Sequence, residues 1–242
     1  MFESNDKSHR SLTLTSSQFF EKFGNDPNMW IERRAAYTKS TAANSMVGMI
    51  LGIGDRHSQN ILIDEQTAEV IHIDFGITFE QGRALRTPEQ VPFRLTPDVI
   101  DGFGITGVQG VFTRSCMETL SVLRANTEAI LTICEVFVHD PLHRWTVSHR
   151  KQQRIENRNI AGDGNDDEQQ DANHAATHAQ QNPQHTPNLE ADRVMGRLRQ
   201  KLQGQADDGV QMDISAQVKR AIQEATDESN LSKMYFGWAP FL

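Results

Sequence analysis

Two strings in the 242-residue chain hold the side chains best suited to covalent chemistry: Gly54-Asp55-Arg56-His57-Ser58-Gln59-Asn60 and, further on, Asp74-Phe75-Gly76. Their side chains match the needs of phosphoryl transfer. That reaction requires a carboxylate to orient the acceptor hydroxyl, oxygen ligands for a metal ion on the nucleotide phosphates, and donors or positive charge near the transferring group. Asp55 suits the first role, Asn60 and Asp74 the second, and His57 the third. His57 can donate to the developing charge or take part in proton transfer, whereas Arg56 reads as a structural ion-pair partner.

These roles depend on the two strings meeting in space. Between them lie Ile61-Leu62-Ile63 and Val70-Ile71-His72-Ile73, short runs rich in Ile and Val, separated by the polar Asp64-Glu65-Gln66-Thr67. The pattern predicts a β-hairpin. A tight hairpin returns Asp74 to Asn60, where a carboxylate and an amide oxygen can share one Mg²⁺, a hard cation that prefers oxygen. Asp-Phe-Gly alone carries little weight, because an Asp after a strand often caps a turn. All four groups in this order across a hairpin are far more specific. Asp55 and Asn60 also have the separation of Asp and Asn in the protein-kinase catalytic loop H-R-D-x-x-x-x-N.

Helical patterns surround the hairpin. Thr15 or Ser16 begins a helix through Phe19, Phe20 and Phe23, stopped by Gly24 and an Asp26-Pro27 turn. A second helix follows from about Met29, with Trp30, Ile31, Ala35, Ala36, Ala42, Ala43, Met46, Val47, Ile50 and Leu51 spread over most faces. After the hairpin come a loop with Gly76, Gly82, Pro88 and Pro92, then helical stretches from about Gly110 to Ala125 and Thr127 to His139. From Gly162 to Pro187 the chain lacks the apolar residues that offset ordering entropy, so 151–189 is expected to be a disordered linker. His174, His178 and His185 within it lack the fixed spacing of metal ligands and read as solvated low complexity. Apolar spacing then resumes at Val194, Leu198, Leu202, Ile214, Val218, Ile222, Leu231, Met234, Phe236 and Trp238. These suit helices that pack on the catalytic region. The expected fold class is α+β and mostly α, with one catalytic hairpin followed by a helical tail.

The totals narrow the partners. A net charge of -8 argues against a free-standing nucleic-acid binder, which needs a cationic surplus, so contact with DNA is expected only indirectly. Cys116 and Cys134 are the only cysteines, too few for a disulfide framework or a four-cysteine zinc site, and they fit a reducing compartment. No apolar run is long enough to span a bilayer, and no membrane partner is expected.

Asp55-Arg56-His57, an inverted His-Arg-Asp, together with Ile71-His72-Ile73-Asp74-Phe75-Gly76, resembles the phosphoinositide-kinase-related protein kinases, and the ATM branch fits best. Phe79-Glu80-Gln81-Gly82, Thr87-Pro88-Glu89, Val91-Pro92-Phe93-Arg94-Leu95-Thr96, and Asp101-Gly102 leading into Gly104-Ile105-Thr106-Gly107-Val108 resemble that branch's activation loop and the segment after it. Asp140-Pro141-Leu142 and Trp145 look like its closing catalytic-lobe motif, and residues 215–242 like its terminal FATC domain. The implied organisation is a kinase catalytic lobe over 1–150, the linker over 151–189, and a helical tail over 190–242.

The resemblance implies that Asp55 orients or deprotonates the acceptor hydroxyl, His57 assists at the phosphoryl group, Asn60 and Asp74 bind Mg²⁺ or Mn²⁺, and Leu62 and Ile73 form part of the floor under the adenine of ATP. Leu62 and Ile73 read equally well as plain hairpin core. It further implies protein substrates with Ser or Thr followed by Gln, regulatory partners recruited through the FATC region, a nuclear location, and work in double-strand-break signalling, telomere maintenance and checkpoint control. A phosphoinositide lipid kinase is the competing enzyme. Lipid head groups with phosphates demand clustered cations, and the loop from Ile77 to Gln90 sets only Arg83 and Arg86 against Glu80 and Glu89.

A kinase also needs a glycine-rich cover over the phosphates and a lysine that holds them. Neither is visible before Asp55, where the chain is committed to helices. The chain by itself is therefore expected to transfer phosphate poorly without a nucleotide lobe and the rest of a parent kinase. A non-catalytic interaction module on the same fold is the alternative from a different class.

Overall fold

The computed structural model describes residues 16–138, 189–206 and 209–240. Residues 151–188 of the expected linker, with His174, His178 and His185, and the Asp140-Pro141-Leu142 and Trp145 motif lie outside the described residues, while Leu189 already belongs to a helix. In chain order the elements are α1 (Ser16–Phe23), α2 (Pro27–Leu51), β1 (Ile61–Ile63), β2 (Val70–His72), α3 (Pro97–Gly102), α4 (Val111–Ala125), α5 (Thr127–Val138), α6 (Leu189–Gln203), α7 (Ile214–Thr226) and α8 (Glu228–Ser232). Single 3-10 turns occur at Ser58–Asn60, Gln81–Ala84 and Phe236–Trp238. Helix α5 is described as far as Val138, one residue short of the expected end.

Asp26-Pro27 is not a turn between helices but the start of α2. Asp26 is extended and its Oδ1 accepts from Asn28 N at 2.9 Å, while Pro27 occupies the first helical position, where its missing N–H costs nothing. Gly52 ends the helix at φ 61, a left-handed value that glycine adopts without penalty. The apolar residues of α2 are scattered in sequence, yet its buried ones follow a four-residue spacing: Tyr37, Thr41, Ser45, Met49 beside Thr38, Ala42, Met46, Ile50. One wide stripe therefore faces the core. The buried hydroxyls of Thr38 and Thr41 donate to Arg34 O and Tyr37 O one turn back, so they enter the core satisfied.

An aromatic chain crosses this core, from Phe23 through Phe19, Tyr37 and Phe103 to Phe112, with ring centroids 4.7–5.8 Å apart. Helix α4 lies against α2, and α7 lies against α4. At the second junction Arg124 donates to Gln217 Oε1 at 2.5 Å and to Met212 O at 3.2 Å. Residues of the tail from Leu198 onward thus share a compact unit with residues up to Ile130. Residues 131–197 form a second unit, in whose described parts Leu131, Cys134, Val138, Ala191 and Val194 are buried.

A two-stranded hairpin is marginal alone. Here α2 supports its outer edge, because Asn44 Nδ2 donates to Val70 O at 2.9 Å and Val70 N donates to Ser40 Oγ at 2.9 Å. The hairpin is therefore seated on the longest described helix.

Candidate functional site

Register in the hairpin is set by its turn. Asp64 Oδ1 accepts from Gln66 N at 2.8 Å, Thr67 N at 2.7 Å and Thr67 Oγ1 at 3.1 Å, and these bonds hold its carboxyl below the ordinary aspartate range. The strands then pair antiparallel, Ile61 opposite His72, Leu62 opposite Ile71, and Ile63 opposite Val70. Just beyond, Ile73 N donates to Asn60 O at 3.0 Å, so Asp74 follows directly on a residue bonded to Asn60.

Arg56 fastens this junction. Its Nε donates to Gly54 O at 2.8 Å, Nη1 to Ile73 O at 2.7 Å and Asn60 O at 3.5 Å, and Nη2 to Asp74 O. The guanidinium is buried, 5.5 Å from the Phe75 ring centroid, and burial lowers its pKa against the opposing pull of Asp55, Asp74 and Glu89. The expected ion-pair role is corrected: the hydrogen bonds of Arg56 run to the backbone carbonyls of Gly54, Asn60, Ile73 and Asp74. The rigid fork of five donors suits that task, and Lys could not reproduce it. The sequence signal was a cation between Asp55 and His57, a position adjacent to groups that need holding.

Around this clamp, Asp55 has φ 55 and its side chain is part exposed. His57 Nε2 lies 3.9 Å from Asp55 Oδ2, while His57 Nδ1 accepts from Gln59 N at 3.2 Å and caps the 3-10 turn. An accepting Nδ1 leaves the proton on Nε2 in the neutral ring. Asn60 is buried and its Nδ2 donates to Asp55 O at 2.9 Å, so its Oδ1 is the amide's remaining acceptor for a ligand. Asp74 is exposed at φ 57, with Oδ1 accepting from Gly76 N at 3.1 Å. Among the described residues there is no group of three or more His, Cys, Asp or Glu that could hold a metal by itself. One buried amide oxygen and one exposed carboxylate suit Mg²⁺, which keeps waters and shares ligands with phosphates.

The hairpin's two faces differ. Ile61, Ile63, Val70 and His72 line a small cavity with Tyr37, Thr41 and other residues on the α2 side. There burial, helped by the charge of Arg56, lowers the His72 pKa to about 4. Leu62 pairs with Ile71, and side chains alternate along a strand, so Leu62, Ile71 and Ile73 share the opposite face, with Ile71 and Ile73 exposed. Leu62 and Ile73 stand on that face rather than in the core. Gly102-Phe103-Gly104-Ile105-Thr106-Gly107 has the glycine spacing of a phosphate cover, but it joins α3 to α4 with no strand on either side.

The segment after Asp74 is zipped to the residues that close α2. Gly54 N donates to Ile77 O, Phe79 N to Leu51 O and Glu80 N to Gly52 O, all within 2.8–2.9 Å. Phe79 and Glu80 both have positive φ. Glu80 is turned inward, where Lys201 Nζ of the tail reaches its Oε1 at 2.6 Å and also donates to Met49 O at 2.8 Å. Glu89 is likewise turned inward, and its Oε1 accepts from Asp55 N at 2.6 Å. The two acids are thus parts of the scaffold rather than free counter-charges.

The tail grips the same segment further on. Leu231, Met234 and Trp238 form a buried cluster with Val91 packed against it, and Gln90 N donates to Met234 Sδ at 3.3 Å. Arg94 donates to Trp238 O at 2.6 Å and Ala239 O at 3.0 Å, with its guanidinium 4.7 Å from the Trp238 ring centroid. The two aromatics of Phe236-Gly237-Trp238 divide: Trp238 is buried and Phe236 is 93% exposed. Among the described residues no helix is long and apolar enough to cross a membrane.

Comparison with known proteins supplies the family. Residues 4–147 match the family model for phosphatidylinositol 3- and 4-kinase, and residues 211–242 match the FATC domain. The chain is 49% identical over 226 residues to a protein named serine/threonine-protein kinase ATM from Arabidopsis thaliana, covering 93% of this chain and 6% of that relative. It is 48% identical to serine-protein kinase ATM of Sus scrofa, covering 88% of this chain and 7% of the relative. A solved structure titled FAT and kinase domain of CtTel1 superposes with a TM-score of 0.71 at 39% identity, over 93% of this chain and 13% of that one. The chain spans less than a tenth of the length of the two curated relatives.

Proposed function

The chain belongs to the phosphatidylinositol 3- and 4-kinase family and carries a FATC domain, and from that premise we propose that it transfers the γ-phosphoryl group of ATP to Ser or Thr hydroxyls of proteins. The observation that carries the reading is the Arg56 clamp. It bonds Gly54 O, Asn60 O, Ile73 O and Asp74 O together, and this closure of the backbone that carries Asp55, His57, Asn60 and Asp74 supports giving those side chains the parts of one transfer site.

In this reading the Asp55 carboxylate orients the acceptor hydroxyl and accepts its proton. His57, with Nε2 carrying the proton and Nδ1 engaged by Gln59 N, donates toward the charge that develops on the transferring group. Asn60 Oδ1 and the Asp74 carboxylate would hold Mg²⁺ or Mn²⁺. Leu62 and Ile73 offer the adenine an apolar floor on the open hairpin face. ATP with its metal supplies the phosphoryl group and neutralises its charge when bound.

A protein acceptor is favoured over a phosphorylated lipid by the cleft of about 360 Å³ beside Gly54 and Glu89. Its charged lining mixes Glu80, Glu89 and Glu224 with Arg83, Lys201 and Arg220, and so lacks the cationic bias that inositol phosphates demand. From the ATM and Tel1 names of its relatives we infer Ser/Thr-Gln sites as targets, regulatory proteins at the FATC region, a nuclear location, and a part in signalling from DNA breaks, with telomere and checkpoint roles.

The test is phosphate transfer from labelled ATP to a Ser-Gln peptide, a Ser-Ala control and vesicles containing phosphatidylinositol. It is run with this chain alone and with this chain joined to the upstream part of an ATM relative, which supplies a phosphate cover and lysine. Label in the Ser-Gln peptide is the expected result. Label in the lipid instead sinks the reading, as does silence of the joined protein.

A further inference from the structure

Glu89 connects the catalytic aspartate to a segment that takes no direct part in the transfer chemistry. Its Oε1 accepts from Asp55 N at 2.6 Å, the short distance of a bond to a charged acceptor. Such support offsets strain at Asp55, because its φ of 55 lies in the left-handed region, which is sparsely populated by residues other than glycine. The other carboxylate oxygen sits in a gap that only glycines leave open: a Cβ on Gly54 or on Gly82 would overlap Glu89 Oε2. Glu89 N donates to Gly82 O at 3.1 Å, so carboxylate and backbone are fixed together. Burial raises the Glu89 carboxyl above its usual range, a mark of how far the group is withdrawn from water. The next two residues are held from the other side, Gln90 by Met234 and Val91 by the Leu231, Met234 and Trp238 cluster.

We infer that Glu89 is a positioning residue for Asp55: its carboxylate fixes the Asp55 backbone at the transfer site and transmits to it the docking of the tail on the neighbouring Gln90 and Val91. The inference rests on the reading of Asp55 as the group that orients the acceptor. A misplacement of about 1 Å can cost a catalytic group on the order of 100-fold in rate.

Three variants separate positioning from general support. Glu89→Ala removes the acceptor, and Glu89→Gln keeps a weaker neutral one. Gly82→Ala leaves Glu89 in place but drives its carboxylate aside, because the overlap falls on the movable end of that side chain and Gly82 does not have a left-handed φ. In the joined protein, Glu89→Ala and Gly82→Ala are expected to lower kcat for the Ser-Gln peptide about 10- to 100-fold while KM for ATP changes less than about two-fold. Glu89→Gln should recover part of the loss, and adding Gly82→Ala to Glu89→Ala should cost nothing more, because both act on one contact.

In this chain alone, labelled with ¹⁵N, the Asp55 amide proton should move upfield and exchange faster in both single variants. An unmoved Asp55 amide overturns the inference, as does an additive effect of the two substitutions on kcat. Should the unsubstituted joined protein transfer no phosphate while the amide shifts as described, the kinase reading fails and the contact stands.

Discussion

Two buried guanidiniums, Arg56 and Arg94, both donate to backbone carbonyl oxygens, and they differ in how far along the chain those carbonyls lie. Arg56 reaches partners 2 to 18 residues away and closes the two ends of the hairpin on each other. Arg94 reaches partners 144 and 145 residues away and ties its own segment to the tail. Local closure is encoded in one stretch of sequence and needs only a hairpin to bring it about. The second closure exists only when distant parts of the chain have already folded together. The junction that brings Asn60 to Asp74 is thus locally determined, while the hold of Glu89 on Asp55 and the setting against Glu80 and Val91 are determined by tertiary packing.

If that division is correct, the two arginine regions should fail differently. The largest effect is expected for Arg56→Met, which leaves the carbonyls of Gly54, Ile73 and Asp74 without their buried donor. At about 1–3 kcal/mol for each unsatisfied group the hairpin junction should come apart, with nucleotide binding lost and helical circular dichroism largely kept. Trp238→Ala should come next, costing about 3–5 kcal/mol through the cavity it leaves. Hydrogen exchange should then quicken over residues 88–96 and 228–240, with the Asn60 and Ile73 amides protected as before. Joint loss of protection in both regions from either substitution would mean that the division is false.

A third expectation concerns pH. His72 has its pKa lowered to about 4 by burial and the charge of Arg56. Between pH 6.5 and 4 the unfolded chain therefore takes up a proton that the folded one refuses, so stability must fall as pH falls through this window. The full effect is on the order of 3 kcal/mol at about 1.4 kcal/mol per pH unit, and it should disappear from urea midpoints in His72→Gln. The smallest effect is expected for Asn44→Ala, about 1 kcal/mol, from loss of the bond to Val70 O at the hairpin's edge. Chemical shifts should move in β2 while the tail cluster stays unchanged.

This same division explains what could be read from the sequence. The hairpin, α1, α4 and the mostly helical class follow from periodicity, and the meeting of Asn60 with Asp74 follows from strand length and the Asp64 turn. The start of α2 was read two residues late because Asp26-Pro27 serves a turn and a helix start equally well; the capping bond from Asn28 N decides it. Leu62 and Ile73 were ambiguous because a three-residue strand does not say which face is covered. The seat of α2 against β2, through Ser40 and Asn44, does. The hydrogen-bond roles of Arg56, Arg94 and Glu89 were not legible: a charged residue announces its charge, not whether its partner is a carboxylate or a peptide group. Glu80 and Glu89 illustrate the cost of that silence, since the sequence sets them only against Arg83 and Arg86 and they prove to be turned inward.

The central claim is that the clamped site performs metal-dependent phosphoryl transfer, and Asp74 is its most exposed ligand candidate. The most direct measurement is Mg²⁺-dependent ATP affinity and Ser-Gln peptide phosphorylation by the joined protein, beside an Asp74→Ala variant whose Asn60 and Ile73 amide shifts show the hairpin still closed. The account predicts that the variant loses metal-dependent nucleotide binding and nearly all transfer. Equal affinity and equal transfer in the two proteins would contradict it.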